Sequence, residues 1–587
     1  MSNAAPRFSP VPARSELAAA LESCRGAFVS VGLFSGMSNV LMLTGAFFML
    51  EIYDRVLPSH SVPTLIGISV LAGVLFSFLG LLDMIRGRLL VRIGAALDET
   101  LSGRVYDTIV QLPLKAGNRN DGLQPLRDLD SVRSFLSGLG PIALFDLPWM
   151  PIYLVICFML HFWIGVTALG GAIVLIALTV MTERLTQGPT KAATGFAMSR
   201  TAIAETSRRN AEVLLAMGMV GPMRARWNEA NRKYLASQQL ASDVAGGFGS
   251  FSKVLRMMLQ SGVLAVGAYL AINQQATGGI IIAGAILAAR ALAPVDLAIA
   301  NWRGFVAARQ SWQRLTRLLE LLPVREQPMA LQAPGKSLVV ENASAAPPGD
   351  NKIVVQDVNL KLESGNGLGI IGPSGSGKSS LARMLVGVWQ PVRGKIRLDG
   401  AALEQWTPET LGRHIGYLPQ DVELLTGTVA QNIARFEPGA DPEAVIAAAK
   451  AAGVHDLIVN LREGYDTQIG EQGGALSAGQ AQRIALARAL FGVPFLVVLD
   501  EPNSNLDAEG DAALTNAILG VRKRGGIVVV IAHRPSAIAG IDHLLMMNKG
   551  RTQALGPKNE ILSKVLQRDV PAARSLKVVP EAGGSKP

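Results

Sequence analysis

Six stretches of about twenty residues in the first half of the chain are almost free of charge, and runs of that length constrain a polypeptide more than anything else here. They cover approximately residues 27–50, 62–82, 141–160, 162–181, 254–272 and 279–300. A helix rises about 1.5 Å per residue, so about 20 residues cross the ~30 Å hydrocarbon core of a bilayer. Six membrane-spanning helices are the expectation. Glycine or proline inside several runs does not forbid this, because neighbouring helices re-satisfy the freed backbone groups.

Composition agrees. The 587 residues are 49% hydrophobic and only 17% charged, and the mean hydropathy is +0.31, against about 25% charged in an ordinary soluble protein. A purely soluble enzyme, a disordered chain and a collagen-like repeat are thereby excluded. Two cysteines, Cys24 and Cys157, rule out a disulfide scaffold and leave the redox compartment open. The first apolar run follows a polar stretch of about 25 residues and precedes five more such runs, so it reads as a retained span and not as a cleaved signal.

The net charge of +10 suits either nucleic acid or an anionic membrane surface. The distribution favours the membrane and argues for no nucleic acid, since no basic stripe with interleaved aromatics is present. Links at residues 51–61, around His161 and at 273–278 are short and carry one cation, Arg55. The two long connections carry Arg86, Arg88, Arg92, Arg104, Lys115, Arg119, Arg127 and Arg133, and then Arg184, Lys191, Arg200, Arg208, Arg209, Arg224, Arg226, Arg232 and Lys233. The positive-inside rule places both long connections and both termini in the cytoplasm. Leu89, Ile93, Leu97, Leu101 and Val105 keep a four-residue spacing, so the spans should continue as helices beyond the bilayer. Turns are expected at residues 118–122 and near 218–222. Asp146 and Asp296 lie in or beside apolar runs and near Pro148 and Pro294; pairing with Arg290 or with freed backbone would accommodate them. Gly32 and Gly36 form a GxxxG that could mark a helix contact.

From about residue 338 short β-branched runs alternate with helical patterns, the grammar of an α/β domain. The segment Gly372-Pro373-Ser374-Gly375-Ser376-Gly377-Lys378-Ser379-Ser380 follows an apolar strand-like run and opens a helical pattern, which is the context a phosphate-binding loop requires. Its glycines let backbone N–H groups close on phosphate oxygens, Lys378 can bridge the terminal phosphates, and the Ser379 hydroxyl can ligate Mg²⁺. The loop should bind a nucleoside triphosphate. A second apolar run, Phe495 through Leu499, delivers Asp500 and Glu501 to a sheet edge. Asp500 is placed to hold the Mg²⁺ shell and Glu501 to orient or deprotonate the attacking water.

Between them lies Leu476-Ser477-Ala478-Gly479-Gln480, followed by Arg483 and a helical run. This segment resembles the signature of ABC-transporter ATPases. The surrounding order matches too: Gln420 after Gly-Tyr-Leu-Pro, Gly470-Glu471 before the signature, Ser504-Asn505-Leu506-Asp507 after the carboxylates, and His533 after an apolar strand. The resemblance implies ATP and Mg²⁺ as cofactors, with Ser477 and Gly479 reaching the γ-phosphate of ATP held by the Lys378 loop of a second copy. It further implies that Gln420 joins the Mg²⁺ site to the membrane helices, that His533 contacts the γ-phosphate, and that Asp507 couples the two sites. One nucleotide domain and six spans make half a transporter, so a homodimer is implied. Two departures stand out. Ala478 replaces the usual glycine, a change that needs only a negative φ, and residues 344–349 offer no aromatic ring for adenine, leaving Pro347 or another apolar group and implying weak base selectivity.

The membrane half carries its own resemblance. The run Leu50-Glu51-Ile52-Tyr53-Asp54-Arg55-Val56-Leu57-Pro58-Ser59-His60-Ser61-Val62-Pro63-Thr64-Leu65 and the later run from Gly122 and Gln124 through Asp128 and Asp130 to Leu136 are similar to type I secretion ATPase/permeases, the PrtD subgroup in particular. Members of that subgroup lack an N-terminal peptidase-like domain, and the roughly 25 residues before the first span are too few for one. The resemblance implies export of an unfolded protease, RTX protein or similar polypeptide with a C-terminal signal. Export would run through the bacterial inner membrane with a periplasmic adaptor and a TolC-like outer-membrane channel, by alternating exposure of a central path. A lipid or small-molecule exporter of the same fold and a non-transporting regulatory ATPase are the competing readings. The expected fold is an α-helical six-span domain fused to an α/β P-loop nucleotide-binding domain. Its parts are an N-terminal segment 1–26, the membrane domain 27–322, a linker 323–337, the nucleotide domain 338–570 and a disordered tail 571–587.

Overall fold

The computed structural model describes residues 16–117, 122–322, 331–350, 352–470, 476–532 and 534–568. The expected tail and most of the expected linker and first turn lie outside these residues, as do Glu471 and His533. The chain divides into two compact units, Met1–Ile109 with Leu123–Pro323 and Val110–Gly122 with Val324–Pro587.

Among the described residues, the first half holds six helical segments long and apolar enough to cross a membrane: Arg25–Ser59, Val62–Lys115, Gly140–Leu160, Phe162–Arg209, Val220–Ile272 and Gly278–Leu321. The helix Val62–Ala116 has 55 residues, about 80 Å of rise, far more than the hydrocarbon core needs. Its extension holds because one face stays apolar past the span: Leu97, Leu101 and Val105 are buried with Leu129 and Val132 of the helix Gln124–Leu136 and with Leu315 and Leu319. The second turn falls at residues 217–219, with Gly218 at φ 64°, and Pro222 lies inside the next helix. Proline is tolerated in a first helical turn, where its missing N–H has no partner to lose.

Both runs that carry the secretion-type resemblance acquire a physical reason. Asp54 accepts hydrogen bonds from the Gly279 backbone N–H (2.9 Å) and the Thr277 hydroxyl (2.6 Å), so it caps the last membrane helix. Asp128 is buried and accepts from Gln124 (2.9 Å), Ser311 (2.9 Å) and both ends of the Arg314 fork, at 2.9 and 2.5 Å. Such a bidentate pair fixes geometry as well as charge. Gly32 and Gly36 do mark a helix contact: an added Cβ would meet Phe145 at 3.4 Å and Trp149 at 3.3 Å.

The expected partner for the membrane carboxylates is corrected. Arg290 pairs with neither. Asp146 faces Arg86 at 3.0 Å and accepts from Asn39 at 2.8 Å, and Asp296 pairs with Arg256. Arg86 comes from a different helix, 60 residues away in sequence, and no local spacing announces it.

The second unit is built on twelve strands among the described residues: β1 (Ser337–Ala345), β2 (Val355–Glu363), β3 (Gly367–Ile371), β4 (Arg393–Leu398), β5 (Ala401–Ala402), β6 (Ile415–Leu418), β7 (Gly427–Thr428), β8 (Gln468–Ile469), β9 (Leu496–Asp500), β10 (Ile527–Ile531), β11 (His543–Asn548) and β12 (Arg551–Pro557). They form a four-stranded antiparallel sheet, a two-stranded pair, and a six-stranded sheet in the order β12-β11-β3-β10-β9-β6. In the large sheet the five strands from β11 to β6 run parallel. Alternate residues of β10 feed opposite cores: Val528 and Val530 join one aliphatic cluster, Ile527, Val529 and Ile531 the other. This is why the run reads as continuously apolar. Each such side chain contributes about 1.5–3 kcal/mol on burial.

Candidate active site

Strand order assembles the site. The carboxyl ends of β3, β10 and β9 are neighbours, with Ile370 paired to Ile531 and Ile531 paired to Asp500. Ligands of open parallel sheets bind at that edge. The phosphate loop leaves β3, Asp500 and Glu501 end β9, and Gln420 follows β6, which pairs with β9 from Ile415 to Leu418.

The loop is sterically committed. Gly372 has φ 149°, and a Cβ there would lie 2.1 Å from the Met547 carbonyl oxygen, so no other residue fits. Gly375 and Gly377 also have positive φ, at 74° and 94°, which turns successive N–H groups inward before the helix Lys378–Leu385 begins. Pro373, Ser374 and Gly375 are exposed, while Ser380 lies partly buried on the first turn of the helix. The Ser376 hydroxyl is buried without a hydrogen-bond partner.

Lys378 is buried and donates to the carbonyl oxygens of Gly372 and Pro373, at 2.9 Å each. Burial pushes its ammonium below the ordinary range, and the Glu501 and Asp500 carboxylates oppose that. Asp500 is buried, and burial raises its carboxyl above the usual range, opposed first by the Ser379 hydroxyl, which donates to it at 3.2 Å. Its second oxygen, Oδ2, is buried with no hydrogen-bond partner. A desolvated carboxylate with a free oxygen, next to a serine hydroxyl, is a donor set suited to a divalent cation.

Glu501 follows with φ 51°, a left-handed backbone rare for a non-glycine residue, held by its N–H donating to the Ile531 carbonyl at 3.0 Å. Strain of this kind is concentrated at active sites. Gln420 is exposed.

Ser477 caps the helix Ala478–Leu490 by accepting from the Gln480 N–H (3.3 Å), while Gln480 accepts from the Ser477 N–H (2.9 Å), a capping box. Ala478 opens that helix with no left-handed backbone. Gly479 packs so closely that a Cβ would stand 2.8 Å from the Asn505 carbonyl oxygen. Asp507 caps the helix Ala508–Lys523 through the Gly510 N–H (2.9 Å) and pairs with Arg483. Those two contacts, the backbone bond first, hold its carboxyl below the ordinary range. Among the described residues no hydrogen bond joins Ser477, Gly479 or Asp507 to the phosphate loop.

Gln482 is a residue that sequence reading passes over. It is buried, donates to the Pro502 carbonyl (2.5 Å) and accepts from the Asn505 N–H (3.1 Å), which ties the signature helix to the segment after Glu501. The available signal is an amide on the buried helical face shared with Ala485, Leu486 and Ala489, since a polar group there requires partners.

Comparisons with known proteins agree with this geometry. Residues 28–294 match the family described as ABC transporter transmembrane region, and residues 355–504 match the ABC transporter family. The chain is 57% identical over 570 residues to the type I secretion system ATP-binding protein PrsD of Rhizobium meliloti, covering 97% of this chain and 98% of the relative. It is 29% identical to the alpha-hemolysin translocation ATP-binding protein HlyB of Escherichia coli, over 92% of this chain and 77% of that one. Among solved structures, a bacterial Atm1-family ABC exporter with ATP bound aligns with a TM-score of 0.79 at 23% identity, over 94% of this chain and 99% of the other, which shows a shared fold.

Proposed function

The chain belongs to the ABC transporters of type I secretion systems, and from that premise we propose that it drives export of an unfolded polypeptide bearing a C-terminal signal. It is a multi-pass membrane protein whose nucleotide domain binds ATP and couples hydrolysis to transport. The observation that carries the cargo class is the end-to-end likeness to a type I secretion protein, which spans the membrane half as well as the ATPase.

In this reading the protein is a homodimer in the bacterial inner membrane, working with a periplasmic adaptor and a TolC-like outer channel. Ser379, Asp500 and Gln420 hold Mg²⁺, which when bound neutralises charge on the phosphate oxygens. The loop from Gly372 to Ser380 cradles the phosphates with backbone N–H groups, and Lys378 exchanges its loop carbonyls for phosphate oxygens. Glu501 orients the attacking water and accepts its proton, while His533 contacts the γ-phosphate. Ser477 and Gly479 complete the opposite copy's pocket, and Asp507 links the two. Binding of two ATP closes the nucleotide dimer and hydrolysis reopens it, alternating the exposure of the path between the membrane helices.

The test compares polypeptides in the growth medium of cells with and without this chain, by mass spectrometry. A defined set should vanish from the medium and be retained inside when the chain is removed. An unchanged medium with altered membrane lipids would instead support the lipid-exporter reading.

A further inference from the structure

Arg290 is a cation at membrane depth that pairs with no carboxylate among the described residues. It lies twelve residues past Gly278, the outward end of the last membrane helix, so its Cα is about 18 Å below that end. Helical side chains lean toward the helix N-terminus, which brings the guanidinium back to a depth of about 12 Å. A neighbour on the first span places it at least as deep. Arg290 Nη1 is 4.0 Å from Met42 Sδ, and Met42 lies twelve residues, about 18 Å of helical rise, before Asp54, whose carboxylate accepts from the Gly279 N–H at the outward end of the last membrane helix. The charge therefore lies well inside a ~30 Å core, too deep for the side chain to reach either surface.

Arg290 is nevertheless exposed. The membrane carboxylates near it are engaged elsewhere, Asp146 by Arg86 and Asn39 and Asp296 by Arg256. Among the described residues no ion pair holds Arg290. An exposed, unpaired guanidinium at this depth is not compatible with lipid, because intramembrane charges face a bundle interior or a water-filled cavity. The residues one helical turn to either side on the same face, Ile286 and Ala293, are apolar, with Ala289 adjacent, so no other charge of this helix lies within a turn of Arg290.

We propose that Arg290 lines the aqueous path of the transported polypeptide and binds its carboxylate side chains, favouring acidic segments. This inference rests on the export reading and adds to it a position and a substrate chemistry. In a homodimer two such guanidiniums face one path.

The test uses the full chain in lipid nanodiscs with Cys24→Ala and Cys157→Ala, carrying either Arg290→Cys or Val70→Cys. Val70 is 62% exposed and eight residues, about 12 Å, from the outward end of its helix at Val62, so it is an apolar site at matching depth. The probe is a charged, membrane-impermeant methanethiosulfonate. Cysteine at 290 should react at least tenfold faster than cysteine at 70 in the nucleotide-free protein. Equal rates, or a disulfide joining the two copies at 290 with no labelling, would overturn the proposal. In cells, Arg290→Glu should reduce chain-dependent polypeptides in the medium at least tenfold while Arg290→Lys retains them, with ATPase of both within about twofold of the parent. Undiminished export by Arg290→Glu would overturn the charge preference. If the parent chain places no polypeptide in the medium, the export reading fails, and the labelling comparison still decides whether position 290 faces water.

Discussion

The two halves of the molecule handle polar groups in opposite ways. In the nucleotide unit the polar side chains gather at one sheet edge, above strands whose every residue is buried and aliphatic, such as β10. In the membrane unit they are sewn through the helices: Ser35, Asn39, Arg86, Asp146 and Tyr153 form one buried network in which the Tyr153 hydroxyl donates to the Asn39 carbonyl at 2.7 Å and Arg86 to the Ser35 hydroxyl at 2.9 Å. The first arrangement serves chemistry on a ligand, the second holds helices to one another. Substitutions in the two places should therefore fail in different ways.

The largest expected effect is on the membrane side. Asp146→Ala leaves Arg86 buried with only Asp83, 3.0 Å away, as a counter-ion. Breaking a buried pair costs about 3–5 kcal/mol. The thermal midpoint of the detergent-solubilised protein should drop while the affinity for a fluorescent ATP analogue holds. A matching loss of nucleotide affinity would erase the distinction between the halves. Replacing both partners, Asp146→Leu with Arg86→Met, should recover most of the stability, because a well-packed apolar pair does not leave a charge behind.

Lys378→Ala should do the reverse. Removing a charged donor from the phosphate site costs about 1.5–3 kcal/mol, or roughly tenfold to a hundredfold in affinity by equilibrium titration, with the melting midpoint of the ligand-free protein nearly unchanged. Tight binding by this variant would refute the phosphate-loop assignment. Next in size, Gln482→Ala leaves the Asn505 N–H without its partner, about 1–3 kcal/mol, and should lower the stability of the nucleotide unit alone in a melting curve that resolves the two units.

How much the sequence reveals follows the same division. The phosphate loop is legible because backbone geometry dictates residue type: only glycine tolerates the φ and the crowding at Gly372. The Asp500 and Glu501 pair is legible because a fully buried strand must precede it. The six spans are equally plain, since their length is set by the bilayer. What stays hidden is pairing. Nothing in the spacing of Asp146 identifies Arg86 as its partner, or Arg256 as that of Asp296, because long-range polar contacts between helices leave no periodic trace. Gln482 belongs to no motif, and only its place on a buried helical face announces it.

The smallest expected effect concerns acid. The Asp507 carboxyl is held below its ordinary value of 3.8, so its contribution is complete above that pH and is lost as pH falls through the lower folded value. Asp507→Asn should therefore flatten the acid limb of the thermal-stability profile below about pH 4 and change little at pH 7. A variant with an unaltered acid limb would show that the cap and the Arg483 pair do not set that carboxyl.

The most direct test of ATP-driven export is Glu501→Gln in the intact chain, with ATP hydrolysis by isolated membranes and chain-dependent polypeptides in the medium measured on the same cells. Binding of ATP should persist while hydrolysis falls about a hundredfold or more, and export should fall with it. Polypeptides still reaching the medium at the normal rate after hydrolysis has stopped would show that the two halves of this chain are not the coupled machine described here.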